Sequence, residues 1–296
     1  MNLLTGLALR RENAKAIARQ KAGARQLVPE HLSDLTRLGE RSALIIAAHP
    51  DDEAIGAGAL LAKMSRVGLV TMTDGAPKKG LADRVAGFQS RSDYSKARRR
   101  EAHAALALLG RDVVPCINLN VSDQQSVYKL PSLVPKLMRY LTQTGYDYVI
   151  THAYEGGHPD HDTAALAVQA ACTLLRRSGA AVPTRVEMTG YHAKGDGLAY
   201  GLFLPHPDAG QVVSFPLGES ERDLKRKMFR CYLTQRPVLA PFPLDTERFR
   251  LAPRYDFRLP PHGGPLAYER YNWEIDGAIW RRAALRALTT LTLLDG

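Results

Sequence analysis

Two rhythms of apolar and polar positions alternate along this chain from residue 43 onward. Short, largely apolar stretches at 43–47, 67–73, 113–118 and 146–151, and a more polar one at 184–189, have the length of strands. Between them, at 54–65, 94–109, 130–142 and 163–177, apolar residues recur at helical spacing. Ser92 or Asp93 offers an N-cap to the second of these helices, and Gly110 and Gly179 follow helix ends. Strand and helix in strict alternation predict an α/β fold, a Rossmann-like doubly wound and mostly parallel sheet. Ligands of such sheets bind outside the carboxyl ends of the strands.

The alternation stops after residue 195. A Gly- and Pro-rich stretch precedes a charged amphipathic helix at 219–232. A segment rich in Pro, Arg and aromatic residues then runs to about residue 272, and a last helix covers 273–294. The predicted organisation is a basic helical extension over 1–41, a Rossmann-like domain over 42–195, and an irregular wrapping segment over 196–296. That last segment completes the same domain and walls its crevice.

Bulk properties narrow the setting. The 296 residues suffice for a substantial core. No window has the roughly 20 apolar residues of a membrane helix, and the N-terminus lacks the pattern of a secretory signal. Cys116, Cys172 and Cys231 are widely spaced and odd in number, which fits free thiols in a reducing compartment. A cytoplasmic location is expected. The formal net charge is +10, and Lys78–Arg111 holds nine Lys/Arg against three Asp/Glu. Such a local excess attracts an anionic small molecule by focusing. It lacks the interleaved aromatic residues and motifs of a nucleic-acid surface, so no nucleic-acid partner is expected.

The chemistry sits at the strand exits. His49-Pro50-Asp51-Asp52-Glu53 follows the run at 43–47, and His158-Pro159-Asp160-His161-Asp162 follows the one ending near 151. A catalytic zinc keeps three protein ligands and one open position. His49 and Asp52, three apart in a tight turn, can face one point, and His161 supplies a third ligand. Asp51 is then placed to take a proton from water, and His158 to protonate a leaving amine or stabilise an oxyanion. Asp160 and Asp162 can hold imidazoles in the required tautomer. Weaker substrate contacts are expected from Asp74, at another strand exit, and from Arg98. Glu53 has no assigned chemistry beyond the start of the following helix.

At these residues the chain resembles the PIG-L/LmbE-like de-N-acetylases, over about residues 42–195. Ala48-His49-Pro50-Asp51-Asp52-Glu53 with His158-Pro159-Asp160-His161 is similar to the paired family signature. Thr73-Asp74-Gly75, Arg98-x-x-Glu101 and Tyr232-x-x-Gln235 are weaker similarities. The resemblance implies zinc, or another divalent metal such as Fe2+, on His49, Asp52 and His161. It also implies Asp51 as general base, and His158 as electrophile or acid with Asp160 as its partner. The expected reaction removes an N-acetyl or other acyl group from an amino sugar or glycoconjugate, and an anionic substrate is expected. Some family members place an oxyanion-stabilising tyrosine where this chain has Gly156, and Tyr154 is the nearest substitute. Two other readings stay open: an amidase of larger N-acyl or thiol-conjugated glycosides, and a non-catalytic phosphosugar- or nucleotide-binding protein with a structural metal.

Overall fold

Every residue of β1 (Ser42–Ala47) is buried, as a strand covered on both faces by helices must be. The structure, a computed structural model, describes residues 35–78, 87–110 and 115–294. Beside β1 run β2 (Arg66–Pro77), β3 (Cys116–Asp123), β4 (Tyr148–His152) and β5 (Thr184–Met188), all parallel. The sheet order is β3-β2-β1-β4-β5-β9-β8, with β9 over Thr246–Leu251 and β8 over Val213–Pro216. The chain winds outward from β1 to β3, then returns to lay β4 on the other side of β1. The winding direction therefore reverses between β1 and β4, which is where such sheets open a ligand crevice.

The two faces of β1 seed two cores. Leu44 and Ile46 pack with α3 (Leu130–Thr144), α4 (Pro159–Arg177) and α7 (Gly277–Thr290). Ala43, Ile45 and Ala47 pack with α1 (Asp52–Lys63), α2 (Arg91–Ala107) and α5 (Glu219–Cys231). Gly56 on α1 faces Met188 of β5, whose sulfur would lie 2.5 Å from a Cβ at that position. The small residues of α1 thus let it lie close against the sheet.

The doubly wound, mostly parallel sheet expected from the alternation is present. One expectation needs correction. The segment after 195 is not solely irregular, because β9 (Thr246–Leu251) extends the main sheet antiparallel to β5, and β8 (Val213–Pro216) pairs antiparallel with β9 at the sheet edge. Buried charge conceals β9 in the sequence. Its Glu247 pairs with Lys225 at 2.9 Å, and its Arg250 pairs with Glu187 at 2.7 Å, all four being nearly inaccessible. Glu247 also accepts the Ala59 and Leu60 N–H groups, and Lys225 donates to the Ile55 carbonyl. This pair ties α1 to α5 and β9. The remaining short strands, β6 (Tyr191–Lys194) and β7 (Gly197–Tyr200), form a separate hairpin. A short helix α6 (Arg236–Leu239) follows α5.

Most of the predicted basic extension lies outside the described residues, as does much of the Lys/Arg-rich loop before α2. Leu35 and Leu38 are buried against the α1 side of the sheet. Among the described residues no helix is long and apolar enough to cross a membrane. The three cysteines are free thiols, Cys172 buried and the other two partly so.

Candidate metal centre and catalytic crevice

The β1 exit turns sharply into α1. His49 N–H donates to the Asp52 carboxylate at 2.7 Å, which closes the turn. Asp51, the residue before α1, has φ of 137°, a region that non-glycine residues avoid. Two groups hold it there. Its N–H donates to Glu53 Oε2 at 3.1 Å, and Glu53 in turn accepts the Tyr232 hydroxyl. Arg98, from α2, donates to the Pro50 carbonyl at 2.6 Å and to the Gly75 carbonyl at 3.0 Å. Its Nη2 lies 3.1 Å from Asp51 Oδ2.

The β4 exit supplies the second half. His152, the last residue of the strand, accepts the Ala48 N–H on Nε2 at 3.1 Å, and its ring stacks on His161 at 4.0 Å. Gly157 lies against the Tyr191 carbonyl, where a Cβ would meet the oxygen at 2.0 Å. Only glycine fits between the β4 exit and β6. His158 then caps α4: its Nδ1 accepts the Asp160 N–H at 3.1 Å. That bond leaves the proton of a neutral ring on Nε2. His161 follows within the first turn of α4.

The two halves meet at Asp52. Its Oδ2 lies 3.4 Å from His49 Nδ1, and its Oδ1 lies 3.2 Å from His161 Nε2. Neighbouring ligands of a tetrahedral zinc with bonds of about 2.0–2.1 Å are separated by about 3.4 Å. His49, Asp52 and His161, all buried, thus fit a divalent cation by donor type and by spacing. The far nitrogen of His49 supports the same fit. Nε2 faces Asp160 Oδ2 at 3.2 Å and Asp123 Oδ1 at 3.3 Å, so a ring that ligates through Nδ1 has acceptors for its remaining proton. His49, Asp123, His158 and Asp160 also lie within ligand range of one another. Both sets draw on the one His49 ring, which makes them alternatives around a shared imidazole.

Electrostatics follow burial and neighbours. Burial pushes the Asp51 carboxyl up, with the Arg98 guanidinium opposing. Asp52 is also buried, yet the imidazoles of His161 and His152 hold it well below the carboxylate range. Burial, reinforced by His49, holds His158 well below the ordinary histidine value. Burial pulls His49 down too, but Asp123, Asp160 and Asp52 outweigh it and leave it raised.

The structure brings His49, Asp51, Asp52, His158, His161 and Arg98 into one crevice of about 440 Å³. Asp160 lies beneath it. Ser126 and the Gln124 N–H hold its carboxylate, whose Oδ2 is nearer His49, at 3.2 Å, than His158 Nδ1, at 3.9 Å. Three expectations are corrected. Asp74 is turned away from the crevice, its carboxylate taken by Arg91 and the Ala76 N–H. Tyr154 is in the core, stacked on Trp280, with its hydroxyl on the Leu259 carbonyl. Asp162 accepts the Glu155 and Gly156 N–H groups and so holds the β4 exit loop rather than an imidazole. Arg98 reaches the crevice, but its guanidinium is occupied by Asp51 and two carbonyls.

Sequence reasoning missed Asp123, His152, Tyr191 and Trp273. Asp123 ends β3, and its Oδ1 lies 3.4 Å from His158 Nε2. The strand-exit rule finds it once β3 is extended beyond residue 118. His152 likewise ends β4. Tyr191 and Trp273 face the crevice with their rings against His161 and His158. They lie outside the motifs, and no spacing marks them.

A doubly wound α/β protein with a buried His/Asp/His donor set at its winding reversal is the class that fold and site define. Residues 44–172 match the family described as PIG-L: GlcNAc-PI de-N-acetylase. No curated protein matches the chain by sequence. Among solved structures, an A40926 pseudoaglycone deacetylase is similar at 21% identity and TM-score 0.52, over 73% of this chain and 98% of that one. The N,N'-diacetylchitobiose deacetylase of Pyrococcus horikoshii is similar at 20% identity and TM-score 0.52, over 77% and 95%. A 4-carboxy-2-hydroxymuconate hydratase from Pseudomonas putida is similar at 15% identity and TM-score 0.50, over 73% and 98%. At such identities these likenesses establish the fold. The hydratase among them means that fold alone does not choose the reaction.

Proposed function

We propose that this protein is a metal-dependent hydrolase that removes an N-acetyl or other N-acyl group from an amino sugar or glycoconjugate. The observation that carries the reading is Asp51: a carboxylate held beside a His/Asp/His donor set, in one crevice, with residues 44–172 matching the PIG-L family. Zinc is the metal we favour, with Fe2+ the alternative, on His49, Asp52 and His161. When bound, such a cation supplies Lewis acidity that polarises the amide carbonyl and acidifies water. Asp51 takes the proton of the attacking water as its oxygen adds to the carbonyl carbon. His158, with its proton on Nε2, donates a hydrogen bond to the developing oxyanion, and Asp51 returns the proton taken from water to the leaving nitrogen. The C–N bond breaks, and the carboxylic acid and free amine leave. Asp160 keeps His49 in the ligating tautomer, and Asp123 faces both imidazoles.

The domain reading is one unit over 42–294, with the residues after 195 closing the crevice. The free cysteines suit a reducing compartment, and we read the protein as cytoplasmic. An anionic substrate has less support. Arg98 is the only Lys or Arg among the described residues lining the crevice, and it already serves Asp51. Acetate release from N-acetylglucosamine and its glycosides by metal-stripped and zinc-reconstituted protein tests the reading. Zinc-dependent release is expected. No release from any N-acetylated sugar with zinc bound would overturn it, as would equal release by the stripped protein.

A further inference from the structure

Two aromatic walls lead outward from the catalytic histidines. From His161 the line runs through Tyr191, at 5.5 Å between ring centroids, to Tyr200 and Phe242. From His158 it runs through Trp273, at 4.9 Å, to Tyr271, which stacks on Trp273 at 4.9 Å and 22°. Tyr271 is 43% exposed at the outer end, and Val238, 49% exposed, also lines the mouth. A monomeric surface seldom gathers large exposed apolar side chains around a polar crevice without use for them. No described cation stands between the walls to neutralise a phosphate.

We infer that the crevice has an apolar subsite, between the Tyr191–Phe242 and Trp273–Tyr271 walls, for an uncharged alkyl or aryl substituent of the substrate. The inference rests on the hydrolase reading and deepens it. The walls begin at His161 and His158, so the substituent lies next to the scissile amide. Two sources share this chemistry: a long N-acyl chain and an apolar aglycone. Flat rings lose little rotamer freedom and present much apolar area, so they suit either source. The enzyme would select against phosphorylated and nucleotide-linked sugars, which would face aromatic rings with no cation among the described residues between the walls.

The test compares kcat/KM of the zinc-reconstituted full chain on four compounds: N-acetylglucosamine, its 1-phosphate, octyl N-acetyl-β-glucosaminide and N-octanoylglucosamine. At least one octyl compound is expected to exceed N-acetylglucosamine by about tenfold or more, and the phosphate to fall below it. Preference for the octyl glycoside assigns the subsite to an aglycone, and preference for the octanoyl amide to the acyl chain. Tyr271→Ala and Val238→Glu are each expected to cut that preference by about tenfold. Preference for the phosphate, no gain from either octyl group, or an unchanged preference in both variants would overturn the subsite. Calorimetric binding of octyl β-glucosaminide and of glucosamine 1-phosphate keeps the two readings separable. If no substrate turns over, the hydrolase reading fails, and the subsite stands only if the octyl amine binds at least about tenfold more tightly.

Discussion

Arg98 Nη2 lies 3.1 Å from Asp51 Oδ2, and the same guanidinium donates to the Pro50 and Gly75 carbonyls. One side chain from α2 thus ties the β1 exit to the β2 exit and balances the charge of the proposed base. All of these groups are buried, so the pair is costly to break from either side. Asp51→Asn keeps the shape and removes the base. Turnover is expected to fall by about 10²–10⁴-fold while zinc content, by elemental analysis, stays at the parent level. Parent-level turnover would remove Asp51 from the mechanism.

Glu53 has a task that the motif does not advertise. It accepts the Asp51 N–H and the Tyr232 hydroxyl, and so holds Asp51 at its strained φ. Glu53→Gln retains an acceptor for that N–H, whereas Glu53→Ala does not. The alanine variant is expected to lose about tenfold or more in kcat with little change in KM, and the glutamine variant to recover most of it. Equal kcat in the two variants would show that the contact does not position the base.

Lys225 and Glu247 form a buried pair on α5 and β9 that grips α1 at Ile55, Ala59 and Leu60. Removing one partner strands a buried charge. Lys225→Met or Glu247→Leu alone is expected to cost about 3–5 kcal/mol in urea unfolding. The double variant is expected to cost clearly less than the sum, because the partners share one contact. Simple additivity would mean that the pair is not coupled.

Asp147 gives stability a pH dependence at the base of the sheet. It accepts Ser42 N–H at 2.9 Å and Ser42 Oγ–H at 2.6 Å, bonds that hold its carboxyl below the ordinary value. A depressed folded-state value favours the folded protein above the unfolded value near 3.8, and the advantage is lost as pH falls through the folded value. The parent should therefore exceed Asp147→Asn in melting temperature at neutral pH, and the two curves should converge below about pH 4. A gap that persists at low pH would rule out ionised Asp147 as its source.

The parallel half of the sheet was legible because its central strands β1, β2 and β4 are mostly apolar and helices separate the strands. The donor set was legible because each half sits within a short motif at a strand exit. β9 was not, since Glu247 and Arg250 are charges satisfied by distant Lys225 and Glu187. Asp74 and Tyr154 misled for related reasons: proximity in sequence to the motifs says nothing of which way a side chain turns. Arg91 takes the first, and the Trp280 core takes the second. The aromatic walls were invisible as a unit, because residues 191, 200, 242, 271 and 273 converge only after the chain has wrapped around the crevice.

The reversal of winding between β1 and β4 has a consequence for biosynthesis. His49 and Asp52 emerge from the ribosome more than a hundred residues before His161, and β2, α2, β3 and α3 must all be made in between. Until β4 pairs with β1, a nascent chain can offer a cation only the weak two-ligand half. Under the proposed metal assignment, loading of this site would therefore be a late event, one that follows the central strand pairing and marks a chain whose sheet has closed around its middle.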